Sequence, residues 1–313
     1  MRKRFHFNDI LFGLYFISIM NTIITGSNGY LGQFLCNYLS ETGISVNALS
    51  RGENKNPSIN SHNYFGVDLT VEKDVSGVVA SINPEIIIHN AAMSKPDVCA
   101  SNKEACVLQN VTATKYLLEA AAKKNARFIY VSTDFIFGEN GPHSEDTIPD
   151  PLNFYGETKL MAEELVKSSG VSYAIMRPVF IYGPCYAGMR PTFLHWVKNS
   201  LENNKAIKVV DDQKRTPTYV IDICKGVHAM IIKQVTGSFH LAGKDIISPY
   251  QMAMKVATVL GLNASLIEPV NSDSFPEPVK RAKQSGLTFE RAIVELGYSP
   301  ISFEDGIKKT FDL

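Results

Sequence analysis

The sequence has no charge surplus: its 313 residues carry 31 Lys plus Arg against 31 Asp plus Glu, and neither sign gathers into a long block. That balance removes the electrostatic case for binding nucleic acid or an anionic membrane. It has no C-x-x-C pair, and its five cysteines (Cys36, Cys99, Cys106, Cys185, Cys224) are odd in number. They read as buried or bystander thiols of a reducing, cytoplasmic compartment, not as a disulfide framework. The seven histidines are scattered without metal-ligand spacing, so no metal site is assigned. Internal repeats and low-complexity tracts are missing too. An apolar run, Ile10 to Met20, follows Arg2, Lys3 and Arg4 and superficially resembles a signal peptide. It is too short to span a membrane, and no small-x-small cleavage site follows it. It also ends where the first strand begins. Met20 is therefore expected to be the physiological start, with residues 1–19 a dispensable leader, poorly packed on the domain.

What is present begins at that point. Thr22 to Thr25 is a short apolar strand that runs into Gly26-x-x-Gly29-x-x-Gly32, and an amphipathic stretch follows (Phe34, Leu35, Tyr38, Leu39). Strand, glycine turn and helix form the first half of a dinucleotide-binding βαβ unit. Gly26 takes a geometry that a Cβ would forbid, Gly29 admits a pyrophosphate, and Gly32 lets the helix pack on the strand. The turn residues Ser27, Asn28, Tyr30 and Leu31 join the glycines in the cofactor-binding set.

Further along, Ile44 to Leu49 reads as a second strand ending in Ser50-Arg51. An NAD enzyme would place an acid there, about twenty positions past the glycines, to bond the ribose. A hydroxyl and a guanidinium favour NADP(H) over NAD(H) instead, because Arg51 can pair with a 2′-phosphate. Tyr64 to Leu69 looks like a third strand, closing on Asp68-Leu69 beside the adenine. Helical periodicity follows through Val71, Val75, Val78 and Val79. Ile86 to Ala92 is a continuous apolar strand, as a parallel strand buried on both faces should be. Its end, Asn90-Ala91-Ala92, lets a cofactor lie close over the backbone. A long helix is expected from Ala100 to Lys124, with Asn110 mid-helix, unfavourable there unless bonded to something; Asn110 is counted with the cofactor set. Phe128 to Ser132 is the next strand. Repeated strand–helix alternation predicts an α/β doubly wound parallel sheet (Rossmann) over residues 20–183. From Pro184 the rhythm changes. Residues 184–313 read mainly as a smaller C-terminal α/β substrate lobe, with some segments returning to the first domain.

Ligands bind outside the carboxyl ends of strands in such sheets. Ser132-Thr133-Asp134 stands at one such end, and Tyr155-Gly-Glu-Thr-Lys159 opens a helix. A spacing of four puts Tyr155 and Lys159 on one helix face. A free phenol, with a pKa near ~10, is a poor acid–base group at neutral pH, and a nearby ammonium should lower that value. Lys159 can also bond the nicotinamide ribose, while Thr133 or its neighbour Ser132 holds the oxygen that gains the proton.

These features, in one order from Met20 nearly to the C-terminus, resemble the extended short-chain dehydrogenase/reductase superfamily. Val131-Ser-Thr-Asp-Phe-Ile-Phe-Gly138 and Pro151-Leu-Asn-Phe-Tyr-Gly-Glu-Thr-Lys-Leu160 are most similar to dTDP-4-dehydrorhamnose reductases. They are equally similar to the regulatory beta subunit of methionine adenosyltransferase. The resemblance implies Thr133 as catalytic hydroxyl, Tyr155 as acid–base tyrosine and Lys159 as ribose-binding lysine. It also implies that Arg177-Pro178 and Ile181-Tyr182-Gly183 line the nicotinamide pocket. The implied reaction is hydride transfer to the C4 ketone of a nucleotide-linked sugar, with Ser132 and Asp134 on the substrate side. Arg215-Thr-Pro-Thr-Tyr-Val-Ile-Asp222 resembles the Arg-x-x-x-x-Val-x-Asp segment of nucleotide-sugar epimerases, whose arginine meets a diphosphate. Arg281 sits in a segment similar to the late Arg-Pro-x-Asp stretch, but Ala282 replaces the proline and Gln284 the acid.

Several relatives divide on single residues. A 4,6-dehydratase would need a glutamate where Phe135 stands. A 4-epimerase keeps the Tyr and Lys but holds NAD, which Ser50-Arg51 argues against. A non-catalytic regulatory subunit could retain the fold and pocket. Family resemblance further implies a possible homodimer through the helices near Ala100–Lys124 and Tyr155–Lys167. The expected partner is a small-molecule nucleotide sugar, with neither nucleic acid nor membrane.

Overall fold

The computed structural model describes residues 20–186, 188–274 and 279–313. The leader expectation, residues 1–19, lies outside the described residues. Alternation in the first strand sets the layering. In β1 (Asn21–Thr25), Ile23 and Ile24 are both fully buried but point to opposite faces, as a period of two requires. Ile24 joins a core with Leu31, Phe34, Leu35 and Leu39 of α1 (Tyr30–Glu41). Ile23 joins a second core on the other face, with Val75 and Val79 of α2 (Glu72–Ile82).

The central sheet has seven parallel strands. Besides β1 they are β2 (Ser45–Ser50), β3 (Tyr64–Gly66), β4 (Ile86–His89), β5 (Arg127–Val131), β6 (Tyr173–Pro178) and β10 (Gly237–Leu241). The order is β10-β6-β5-β4-β1-β2-β3, so β1 lies between β2 and β4 and the winding reverses there. That switch opens a crevice at the carboxyl ends of β1 and β4. Chain turning back from the last third completes the layers: α8 (Val220–Lys233) packs beside α1, and β10 extends the sheet beyond β6.

A smaller lobe has its own core. It contains α7 (Phe193–Glu202), β8 (Ile207–Val210), α9 (Pro249–Leu260), β11 (Ile267–Val270) and α10 (Phe303–Thr310). Two short parallel pairs form sheets of their own: β8 with β11, inside the lobe, and β7 (Ile181–Tyr182) with β9 (Thr218–Tyr219).

Two expected elements differ. The third strand ends at Gly66, and the chain leaves the sheet before Asp68. The long helix is not continuous. α3 (Pro96–Ser101) stops at Asn102, whose side chain accepts from Ala105 N and starts α4 (Lys103–Val107). A π-turn, Leu108–Thr112, then leads into α5 (Ala113–Lys124). Asn110 lies in that turn, where a π-bulge re-aims its side chain.

Candidate functional site

The crevice is a cleft of about 760 Å³. Its wall brings together Gly26, Gly29, Tyr30 and Leu31 of the turn with Asn90, Ala91 and Ala92 after β4. Ser50, Arg51, Asp68 and Leu69 line one end, and Ser132, Thr133, Asp134, Tyr155, Lys159 and Pro178 the other. Gly26 has φ +66, and a Cβ there would come within 2.8 Å of the Ala91 backbone. A Cβ on Gly32 would run into the Gly26 carbonyl oxygen, so Gly32 serves the packing of α1 and not the wall. No side chain caps α1. A glycine-walled approach to free helix N–H groups fits a dinucleotide pyrophosphate.

Not every residue of the turn faces the cleft. Ser27 is buried, and its hydroxyl has no hydrogen-bond partner among the described residues. Asn28 turns its amide to the chain after β2, donating to Glu53 O (2.9 Å) and Tyr64 Oη (3.0 Å). Asn110 is likewise occupied. It accepts from Met93 N at 2.7 Å and donates to Thr158 Oγ1 at 3.1 Å, clamping the loop after β4 onto the later helix.

A buried relay fixes the end of β4. Thr114 donates to Asn110 O (2.7 Å), so it accepts from His89 Nε2 (3.0 Å). His89 Nδ1 therefore accepts from Thr25 Oγ1 (2.8 Å), which in turn accepts from Asn90 N and Ala91 N at 3.1 Å each. Donor counting thus assigns the neutral Nε2–H tautomer. Burial, helped by the Lys159 charge, pushes the His89 pKa down to about 3. At the Arg51 end of the cleft, hydrogen bonds from Thr70 hold Asp68 below the usual carboxylate range.

The reactive end is set by α6 (Phe154–Ser168). Asn153 caps it by accepting from Gly156 N at 3.1 Å. A Cβ on Gly156 would run into the Phe135 carbonyl oxygen, so this glycine lets α6 close onto the turn that carries Thr133. The ring of Tyr155 packs edge-on against Phe135, centroids 5.6 Å apart. Thr133 donates to Asp134 Oδ1 (3.2 Å), and Asp134 Oδ2 accepts from Ser285 (3.3 Å). Burial raises the Asp134 pKa, against the pull of the Arg215 charge.

Lys159 departs from expectation. Its ammonium donates to Val131 O (2.7 Å) and lies 4.1 Å over the Tyr130 ring, and burial takes its pKa down to about 7. Burial also raises the Tyr155 phenol above its ordinary value, against a hydrogen bond with Thr133. The expected lowering of Tyr155 is thus corrected: desolvation raises the phenol, and the Asp134 charge adds to it.

Three arginines also sit differently from the sequence picture. Arg177 does not line the cleft; it makes a bidentate pair with Glu163 (2.9 and 2.7 Å), buried on both sides. Burial works against the Glu163 carboxylate, yet the Arg177 bonds and charge hold it below its usual range. Arg215 is buried, bonds Gln213 Oε1 (2.7 Å) and stands 5.9 Å from the Phe135 ring. Arg281 pairs with Asp97 (3.1 Å). Neither Arg215 nor Arg281 is among the residues lining the cleft. Sequence reasoning missed the stretch that does line it from the lobe side, Arg190 to Phe193, together with Phe180. Glu163 was missed as well, although it lies one helical turn beyond Lys159 on the same face.

Among the described residues no group of acidic, histidine or cysteine side chains could hold a metal ion. Nor is any helix among them long and apolar enough to cross a membrane. Residues 20–313 match the RmlD substrate binding domain family. The probable low-salt glycan biosynthesis reductase Agl14 of Haloferax volcanii is 28% identical over 291 residues, 92% of this chain and 96% of that protein. Methionine adenosyltransferase 2 subunit beta of Mus musculus is 31% identical over 251 residues, 78% of this chain and 75% of that protein. The crystal structure of dTDP-4-dehydrorhamnose reductase from Bacillus anthracis, in complex with NADP, superimposes with a TM-score of 0.82 at 26% identity. It covers 93% of this chain and 98% of its own.

Proposed function

The chain belongs to the RmlD substrate binding domain family, with an extended short-chain dehydrogenase/reductase fold, and we propose that it is an NADP(H)-dependent reductase of a keto group on a nucleotide-linked sugar. One observation carries this reading: a single cleft joins the glycine turn and Arg51 to Thr133, Tyr155 and Lys159. A bound nicotinamide cofactor supplies the hydride. Everything else falls to the side chains. Thr133 and Tyr155 hydrogen-bond the carbonyl oxygen and polarise it. Tyr155 Oη gives its proton to that oxygen as negative charge builds there. A phenol kept protonated by burial is in the state that a proton donor needs. Lys159, on the same helix face, bonds the ribose and thereby fixes the cofactor relative to the phenol. Ser132 and Asp134 contact the sugar from the end of β5. Arg51 pairs with the 2′-phosphate through the fork geometry suited to phosphate oxygens.

The test is Tyr155→Phe, assayed by NADPH oxidation on a panel of keto-sugar nucleotides. Turnover should fall by at least ~10³-fold, within the range general acid–base catalysis contributes, while NADPH affinity stays within about twofold. Undiminished turnover would remove Tyr155 from the chemistry. The similarity to the methionine adenosyltransferase beta subunit favours a second reading, a cofactor-binding regulatory subunit. Stable capture of a partner enzyme, with no NADPH oxidation on any member of the panel, would select it.

A further inference from the structure

The loop that carries Arg51 is held from within the glycine turn. Asn28 stands between Gly26 and Gly29, yet it is not among the residues lining the cleft. Its side chain crosses to the chain after β2. The amide nitrogen donates to Glu53 O (2.9 Å) and Tyr64 Oη (3.0 Å), with a longer contact to Arg51 O (3.3 Å). Its oxygen accepts from Lys55 N (2.9 Å). Tyr64 continues the brace by donating to Gly52 O (2.8 Å). Beyond it, Asn54 donates to Ile59 O (3.0 Å), and the buried Asn56 donates to Asn37 Oδ1 (2.8 Å) on α1.

No regular element runs through residues 51–59, so side-chain amides do the work that a ladder does elsewhere. The Arg51 guanidinium itself is exposed; among the described residues it makes one long bond, to Gln109 Oε1 at 3.3 Å, and its charge also acts on Asp68. Its backbone is therefore fixed while its charge stays available. Ordering a loop at the moment of binding weakens the complex, and a loop already ordered avoids that loss.

We propose that Asn28 is a positioning residue for cofactor choice: it braces the Arg51 loop against the glycine turn and so selects for the 2′-phosphate without touching the cofactor. The inference rests on the NADP(H) reading above. NADPH and NADH differ only at that phosphate, so the brace should matter for one and not for the other.

The experiment is a fluorescence titration of the full chain with NADPH and with NADH, giving Kd for each, in Asn28→Ala, Arg51→Ala and the double variant. Arg51→Ala should weaken NADPH ~10-fold or more, as loss of a charge-assisted contact does. Asn28→Ala should weaken NADPH ~5-fold and leave NADH within about twofold. In the Arg51→Ala background Asn28→Ala should add almost nothing, because its effect passes through Arg51. Tyr64→Phe removes the far end of the brace and should shift the NADPH/NADH ratio in the same direction. Equal weakening of both cofactors, or a full Asn28→Ala effect without Arg51, would overturn the proposal. An unchanged ratio in both Asn28→Ala and Tyr64→Phe, with Arg51→Ala responding normally, refutes the brace alone. An unchanged ratio in Arg51→Ala refutes the NADP(H) reading and the brace with it.

Discussion

Replacing Lys159 with methionine sets the electrostatics of the site against its chemistry. The lysine is 2% exposed, and burial brings its pKa from 10.5 to about 7. At ~1.4 kcal/mol per pH unit, holding the ammonium there costs the fold ~5 kcal/mol when it is charged. The folded pKa lies below the unfolded one. Between those values the unfolded chain binds the extra proton, so stability rises with pH. The penalty is complete below pH 7 and gone above 10.5. Methionine fills a similar volume without charge. It loses the bond to Val131 O and the contact with Tyr130, ~2 kcal/mol together. Lys159→Met should therefore be ~3 kcal/mol more stable than the parent at pH 6.5, lose that advantage by pH 10, and have no turnover. Urea titrations at several pH values measure the difference directly. A stability difference that stays constant from pH 6.5 to 10 would refute the account, whatever its sign.

Two further predictions concern the groups around this lysine. Glu163→Leu strands Arg177 in the interior and should cost ~3–5 kcal/mol, whereas Glu163→Leu with Arg177→Leu should recover much of that loss. Urea midpoints decide it, and a double variant as unstable as the single one would show that the charge pair is not the cause. His89 and His240 are both buried with pKa values near 3, His240 through burial and the Arg177 charge. Since the unfolded chain protonates them near ~6.5, stability should fall as pH drops below that value, by ~2 kcal/mol per histidine at pH 5. His89→Gln should make the fall of stability between pH 6 and 4.5 shallower; an unaltered slope would place the acid sensitivity elsewhere.

The strands and the glycine turn were legible because their causes are local. Ile86-Ile87-Ile88 reads as a strand buried on both faces, and Gly32 is required by contact with its own turn, whereas the need for glycine at Gly26 comes from the Ala91 backbone at the end of β4. Tyr155 and Lys159 were legible because a spacing of four is itself a geometric statement. The rest depends on partners distant in sequence. Asn28 and Asn110 look alike from spacing, as polar residues near a nucleotide site. One finds Glu53 and Tyr64, and the other finds Met93 and Thr158, so both are diverted from the cleft. The helix through residues 100–124 was drawn as continuous because periodicity does not register one competing side chain, yet the Asn102 bond to Ala105 N is enough to restart it.

The pKa of Tyr155 is the clearest case of a sign that a motif cannot supply. A tyrosine with a lysine one turn away reads as an activated phenol only while both are thought of as hydrated. Desolvation acts on both groups and favours their neutral forms, raising the phenol and lowering the ammonium. The pair is thereby held as a protonated donor beside a cation that needs support, and Glu163, one turn further along, is the carboxylate that raises the Lys159 pKa against burial. The spacing Tyr155, Lys159, Glu163 thus extends the motif by one turn: on the proposed reading the second residue positions the cofactor for the first, and the third offsets part of the burial that works against the second's charge.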